Sequence, residues 1–320
     1  MTRKLVLLVS AALLLLTVSG CRYAILEKTL INDTYKLNDV CAVDADNVWA
    51  VGSQGKILFY DGTRWVNEES DTGNTLFGVD ASSSHDVWAV GRNGTVVHFD
   101  GSRWQQQKKI TTSDLFDVSV IDSGHVYAVG AKGTVLSLDG SAWKLQSLGT
   151  SYLLGVAAAS QRCIWAVGVD GVWFCDGEWK KQYDPGFPVH SVSATDEGHA
   201  YAVGYGSGSN PVVVSTILSF TGNWSQVKQV PDCALDAVCM TGASNVWAAG
   251  STGTTVHLDS KGWTSTTNQY ENYAGISCAG GNDIWEVGSE IGAKWVSVPL
   301  IKRYDGSWKK EDIPLFEKPR

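Results

Sequence analysis

The sequence predicts an all-β chain, a seven-bladed β-propeller built from four-stranded antiparallel blades. Three observations carry that expectation: a repeat of roughly 40 residues seen seven times, glycine-marked hairpin turns between short apolar runs, and tryptophan at fixed places in the repeat. Each copy opens with an Asp-Val-x-Ala run, such as Asp39-Val40-Cys41-Ala42. It continues with a Val-Trp-Ala-Val-Gly run, such as Val48 to Gly52, then an Ile-Leu-Phe-Tyr run at 57–60, an Asp-Gly turn at 61–62, and a last tryptophan, Trp65. The first aromatic of the copies falls at 49, 88, 127, 165, 201, 247 and 285.

These runs are read as strands A, B, C and D. The Gly-x-x-Gly between B and C and the Asp-Gly between C and D supply the positive φ that tight hairpins need. One such sheet cannot bury both of its faces. Seven stacked radially can, which accounts for a strand B that is apolar on both sides. Twelve of the 14 tryptophans occupy two repeat positions, and a residue that geometry demands in every copy reads as core. The exceptions are Trp173 and Trp295.

The 320 residues carry 18% charged side chains, 34 glycines, 14 tryptophans and only two methionines. That composition excludes a disordered chain, a coiled coil and a helical bundle. The formal net charge is −8. No lysine- or arginine-rich run is present, so nucleic acid is not expected as a partner.

Arg3 and Lys4 precede an apolar run from Leu5 to Val18, too short to span a bilayer comfortably, which ends Val18-Ser19-Gly20-Cys21. This ending resembles the lipobox of bacterial lipoproteins. The resemblance implies a signal peptide over residues 1–20, cleavage before Cys21, and acylation of Cys21, which would anchor an exported chain to a bacterial membrane. Arg22 follows Cys21 where an Asp would resemble an inner-membrane retention signal, so placement at the outer membrane or cell surface is allowed. Residues 21–35 are then a tether, within which Ala24 to Ile31 is a candidate closing strand, and residues 36–320 are the propeller, expected to be monomeric. The repeats themselves resemble the BNR-like and photosystem II assembly-factor-like bacterial propellers. That group spans sialidases, assembly factors and binding proteins, so the resemblance specifies the fold more sharply than the activity. The sialidase Asp box is only partly echoed by Asp61-Gly62-Thr63-Arg64-Trp65.

Blades 5 and 7 each carry eight extra residues in the B–C hairpin, counted from Gly204 to Thr221 and from Gly288 to Asp305 against Gly52 to Asp61. Alternating strands put the B–C and D–A connections on one rim. Two long hairpins are therefore expected to rise on either side of blade 6, one with Tyr205, Asn210 and Pro211, the other with Glu290, Lys294 and Trp295. Projecting loops on a rigid scaffold are the expected partner-binding surface, for an envelope protein or glycan.

Six cysteines besides Cys21 permit three disulfides in an exported chain. Cys163 and Cys175, near neighbours across a hairpin whose opposing residues sum to 339, are the first-choice pair. Cys278 is placed to meet Cys41 across the ring closure or Cys239 across the blade 6–7 interface. Histidines lack metal-ligand spacing, and no nucleophile or phosphate-loop motif is found, so neither metal nor cofactor is expected. The reading is of a non-catalytic binding or assembly scaffold. The rival is a carbohydrate-active enzyme, hydrolase or lyase, with Asp39, Asp80 and Asp117 converging at the axis; the structural use of those three acids is hydrogen bonding to backbone between blades.

Overall fold

The computed structural model describes residues 36–207, 213–292 and 297–314. Seven four-stranded antiparallel sheets follow one another, each with its strands in chain order, A-B-C-D. Blade 1 comprises Leu37–Ala42, Val48–Gly52, Ile57–Tyr60 and Trp65–Glu68, and blade 7 comprises Glu271–Gly280, Asp283–Ile291, Ser297–Tyr304 and Trp308–Lys310. Each A strand packs against the A strand of the next blade, and that of blade 7 packs against that of blade 1, so the sheets close into a ring. No α-helix occurs among the described residues. The expected fold is the observed one.

Strand B is buried on both faces, as stacking requires: Val48, Ala50 and Val51 are inaccessible and Trp49 nearly so. At six of the seven joints the B-strand aromatic of one blade meets the D-strand tryptophan of the next edge to face. Trp49 and Trp104 lie 5.4 Å apart at 81°, Trp165 and Trp224 5.2 Å apart at 89°, and Trp285 and Trp65 5.5 Å apart at 81°. Such aromatic pairs contribute about 0.5–1.5 kcal/mol beyond the area they bury. The last pair spans the joint between blades 7 and 1. That joint is made of the same contacts as the others, and blade 7 owns its D strand. The candidate closing strand from Ala24 to Ile31 lies outside the described residues.

The B–C and C–D turns supply positive φ as expected, at Gly55 and Gly62, but the two glycines of the B–C turn do different jobs. Gly55 has φ +70°, and Gln54 before it is left-handed as well, at +58°. Gly52 is extended instead, with φ −168°. A Cβ there would lie 2.0 Å from the Lys36 carbonyl oxygen, so close backbone approach excludes a side chain.

Candidate functional site

A cavity of about 310 Å³ runs along the axis between the A strands, lined by Asp39, Asp80 and Asp117 together with Ser119, Ser191, Ser193 and Ser277. The three acids are committed to backbone. Asp39 accepts from Val79 N at 2.9 Å, Asp80 from Val120 N at 2.7 Å and Asp117 from Val156 N at 2.8 Å, each bond crossing to the next blade. Ser119 accepts from Ala158 N, Ser191 from Val238 N and Ser277 from Ala42 N in the same manner. Burial lifts the carboxyls, Asp80 to about 6 and Asp117 to about 7. Asp39 is raised by burial and by the neighbouring Asp117. These groups stitch the ring together from blade to blade.

Cys163 and Cys175 do not form the expected disulfide; both are free and buried. The register is the expected one, since Gly168 pairs with Gly171 and Ile164 with Cys175. Cys163 therefore stands one residue off its opposite number. Side chains one residue apart point to opposite faces, so Cys163 packs towards blade 5 and Cys175 towards blade 3. The disulfide that does form joins Cys239 to Cys278 across the blade 6–7 interface, one of the two alternatives weighed for Cys278. Cys41, the other, instead directs its thiol at Asp80 Oδ1, 3.5 Å away.

The long hairpins are strand extensions on the expected rim. In blade 5 strands B and C run His199–Ser207 and Val213–Phe220, and in blade 7 they run Asp283–Ile291 and Ser297–Tyr304. Asn210, Pro211, Lys294 and Trp295 lie outside the described residues. Tyr205 and Glu290 sit on opposite sides of blade 6 and are not brought together. The Tyr205 ring stacks on His190 at 4.1 Å, and its hydroxyl donates to Asp236 at 3.4 Å. Burial pushes His190 down to about 4 and Asp236 up to about 6. Glu290 pairs with Lys310 and walls a groove of about 220 Å³ with Gln269, Tyr270, Asn272, Ser289 and Ile291.

Two features of this rim were not anticipated. The first is its apolar character. Of the seven exposed large hydrophobic residues among the described ones, five are on the B–C/D–A rim: Tyr152, Val169, Val213, Tyr270 and Ile291. Tyr152 and Tyr270 are about half exposed, at 53% and 52%. The other two, Leu145 and Val227, lie on D strands, and none is on the A–B/C–D rim.

The second is a polar cluster beneath the groove, between blades 6 and 7. Glu286 is fully buried and accepts from Thr255 Oγ1 at 2.5 Å, while its other carboxyl oxygen has no partner among the described residues. Burial lifts its carboxyl to about 8. Lys302 Nζ reaches Glu271 and the Tyr273 hydroxyl, each at 2.9 Å, and Tyr273 donates to Glu271. The signal for this cluster was in the repeat: Glu286 replaces the alanine of Trp-Ala-Val-Gly, and Tyr273 replaces the leucine or valine that begins strand A in the other six blades.

No family model and no curated protein matches the chain. Solved structures do. YCF48 bound to a D1 peptide superposes with a TM-score of 0.62 at 15% identity, covering 86% of this chain and 93% of that one. YCF48 from Cyanidioschyzon merolae gives 0.62 at 14%, covering 85% and 95%. The WD40 propeller domain of Doa1 gives 0.66 at 12%, covering 83% and 92%. Likeness at this level of identity speaks for the propeller fold alone.

Proposed function

We propose that this chain is an exported, lipid-anchored propeller that binds a segment of an envelope protein on its B–C/D–A rim, with the groove between blades 6 and 7 as the seat. The observation that carries the reading is the confinement of rim-exposed apolar side chains to the rim that also bears both long hairpins and the groove. An exposed apolar patch edged by polar groups is characteristic of an interaction site. A similar propeller, YCF48, was solved with a peptide bound, which supports a peptide-like ligand for this one. Export is supported by the Cys239–Cys278 bond, since disulfides persist in oxidising compartments. Anchoring rests on the Val18-Ser19-Gly20-Cys21 motif.

Affinity capture from detergent-solubilised envelopes tests the binding claim. Wild-type protein is expected to retain a partner that Tyr270→Ala with Ile291→Ser loses, and equal retention by both would refute the seat. Radiolabelled palmitate is expected in the wild type and absent from Cys21→Ser. The groove's Tyr270 ring and the side-chain amides of Gln269 and Asn272 also suit a glycan, and a polysaccharide array separates that ligand from a peptide. For the enzymatic alternative, glycan turnover abolished by Asp80→Asn would be required, although Asp80 already serves Val120 N.

A further inference from the structure

The rim has a second specialised stretch, on blades 2 to 4, that the binding groove does not use. Phe77 and Phe116 occupy matching places at the start of successive A strands, with rings 5.8 Å apart, and Tyr152 continues the row at 5.9 Å from Phe116. All three rings are partly or largely open to solvent. Around them stand four exposed cations. Arg92 and Lys132 are in the B–C turns of blades 2 and 3, and Lys108 and Lys109 are in the D–A connection between those blades. None of the four makes an ion pair among the described residues. Four acids share this stretch: the Asp71 and Asp114 carboxylates already accept the Gln106 and Asn93 backbone N–H groups, while Glu69 and Asp170, at its two ends, are exposed.

The opposite rim has the contrary character. Its C–D turns carry Asp61, Asp100, Asp139, Asp176 and Asp305. The Ser102 hydroxyl and the turn amides hold Asp100 down at about 2, and comparable bonds from Thr63 lower Asp61. Lysines partner three of these acids, at 144, 180 and 309. Among the described residues, no exposed large hydrophobic one lies on that side.

The chain also enters the ring on the aromatic side. The Lys36 carbonyl accepts Ser53 N, in the B–C turn of blade 1, at 2.9 Å. Lys36 is 15 residues beyond Cys21, at most about 54 Å of extended chain. An acylated Cys21 therefore holds this rim within reach of the bilayer to which it is anchored.

We propose that blades 2 to 4 rest on an anionic lipid surface, with Phe77, Phe116 and Tyr152 at the headgroup level and the four flanking cations against lipid phosphates. Aromatic rings and basic side chains on one face are the pairing that holds peripheral segments at an interface. The acidic rim then faces away from the membrane. The orientation rests on the lipid-anchor reading, while the affinity of the patch for lipid stands without it. A partner seated at blades 6 and 7 would be met close to the bilayer surface.

Co-sedimentation with vesicles tests the affinity. The unacylated mature chain from Arg22, which contains all seven blades, is mixed with phosphatidylcholine vesicles or with vesicles containing roughly a third phosphatidylglycerol. Binding is expected to be at least tenfold tighter to the anionic vesicles and to weaken with added salt. Lys108→Glu with Lys109→Glu should abolish that preference, and Tyr152→Ser should weaken binding to both compositions. Arg64→Glu with Arg103→Glu, on the other rim, makes the same charge change and should leave binding intact.

The acylated protein in brominated-lipid vesicles tests the orientation: a dye on Thr112→Cys should be quenched more than one on Ser102→Cys. Absence of vesicle binding, binding indifferent to Lys108 and Lys109, or stronger quenching at Ser102 would each overturn the proposal. So would a patch that retains only a solubilised protein. Loss of partner capture by the Tyr270 variant, with vesicle binding unchanged, would leave this inference standing and bear on the groove alone.

Discussion

The joint between blades 2 and 3 and the joint between blades 6 and 7 solve the same problem with different chemistry. At the first, Asp80 accepts Val120 N at the axis, and the packing outward from it is apolar, with Trp88, Val118 and Leu136 in one cluster. At the second, Cys239 stands at the place of Asp80 in the repeat, and Cys278 stands at that of Val120. The disulfide is thus the covalent form of a link that other joints make with one hydrogen bond. Farther out, the second joint buries Glu286, Lys302 and Tyr273 where the first buries Ala128, Leu136 and Leu115, and it sets Glu271 in the place of Ser113.

Four measurements would break or sharpen that comparison. The largest effect is expected from Lys302→Met, which leaves the mostly buried Glu271 with no cation and only the Tyr273 hydroxyl as partner. Removing one member of a buried pair typically costs about 3–5 kcal/mol, seen as a lower denaturation midpoint. Cys239→Ala with Cys278→Ala should cost about 2–4 kcal/mol, and dithiothreitol should lower the wild-type midpoint while leaving the variant's unchanged.

Glu286→Gln should act through pH. The carboxyl titrates at about 8 in the folded protein against an ordinary value of 4.5, so the folded state holds a proton that the unfolded chain releases. Its contribution is complete below about pH 4.5 and is lost as pH rises towards 8. Asp80, Asp117 and Asp236 are raised as well and pull the same way. Thermal stability should therefore climb as pH falls from about 8 to 5, and Glu286→Gln should flatten part of that climb. A pH profile of the variant parallel to wild type would show that Glu286 is ionised in the fold. The smallest effect belongs to Ser119→Ala, which removes a single link to Ala158 N and should cost about 1 kcal/mol.

The fold was legible because every element is repeated, so seven weak signals reinforce one another. Strand register was legible too: the glycines at 168 and 171 oppose each other as expected. The cysteine pairing failed one step further on, because near opposition along a hairpin does not put two side chains on the same face. Cys163 and Cys175 are close in register and separated by the thickness of the sheet. The rim was legible from hairpin lengths, and both described residues proposed there, Tyr205 and Glu290, lie on it. Its apolar surface was not legible, because Tyr152 and Tyr270 stand in irregular connections where no periodicity distinguishes a buried ring from an open one. The buried cluster could have been found. A glutamate in place of the alanine that every other B strand carries at that position is a departure that demands a partner, and Thr255 supplies one.

The Cys239–Cys278 bond encloses a span of 39 residues, which takes in the rest of blade 6 and the start of blade 7. A protease cutting once anywhere inside that span would leave both fragments joined, and the wheel would lose no piece. Such damage would be silent on a gel run without reductant and visible only with it. The stretch from Cys239 to Cys278 can thus be nicked and still be carried by the rest of the ring.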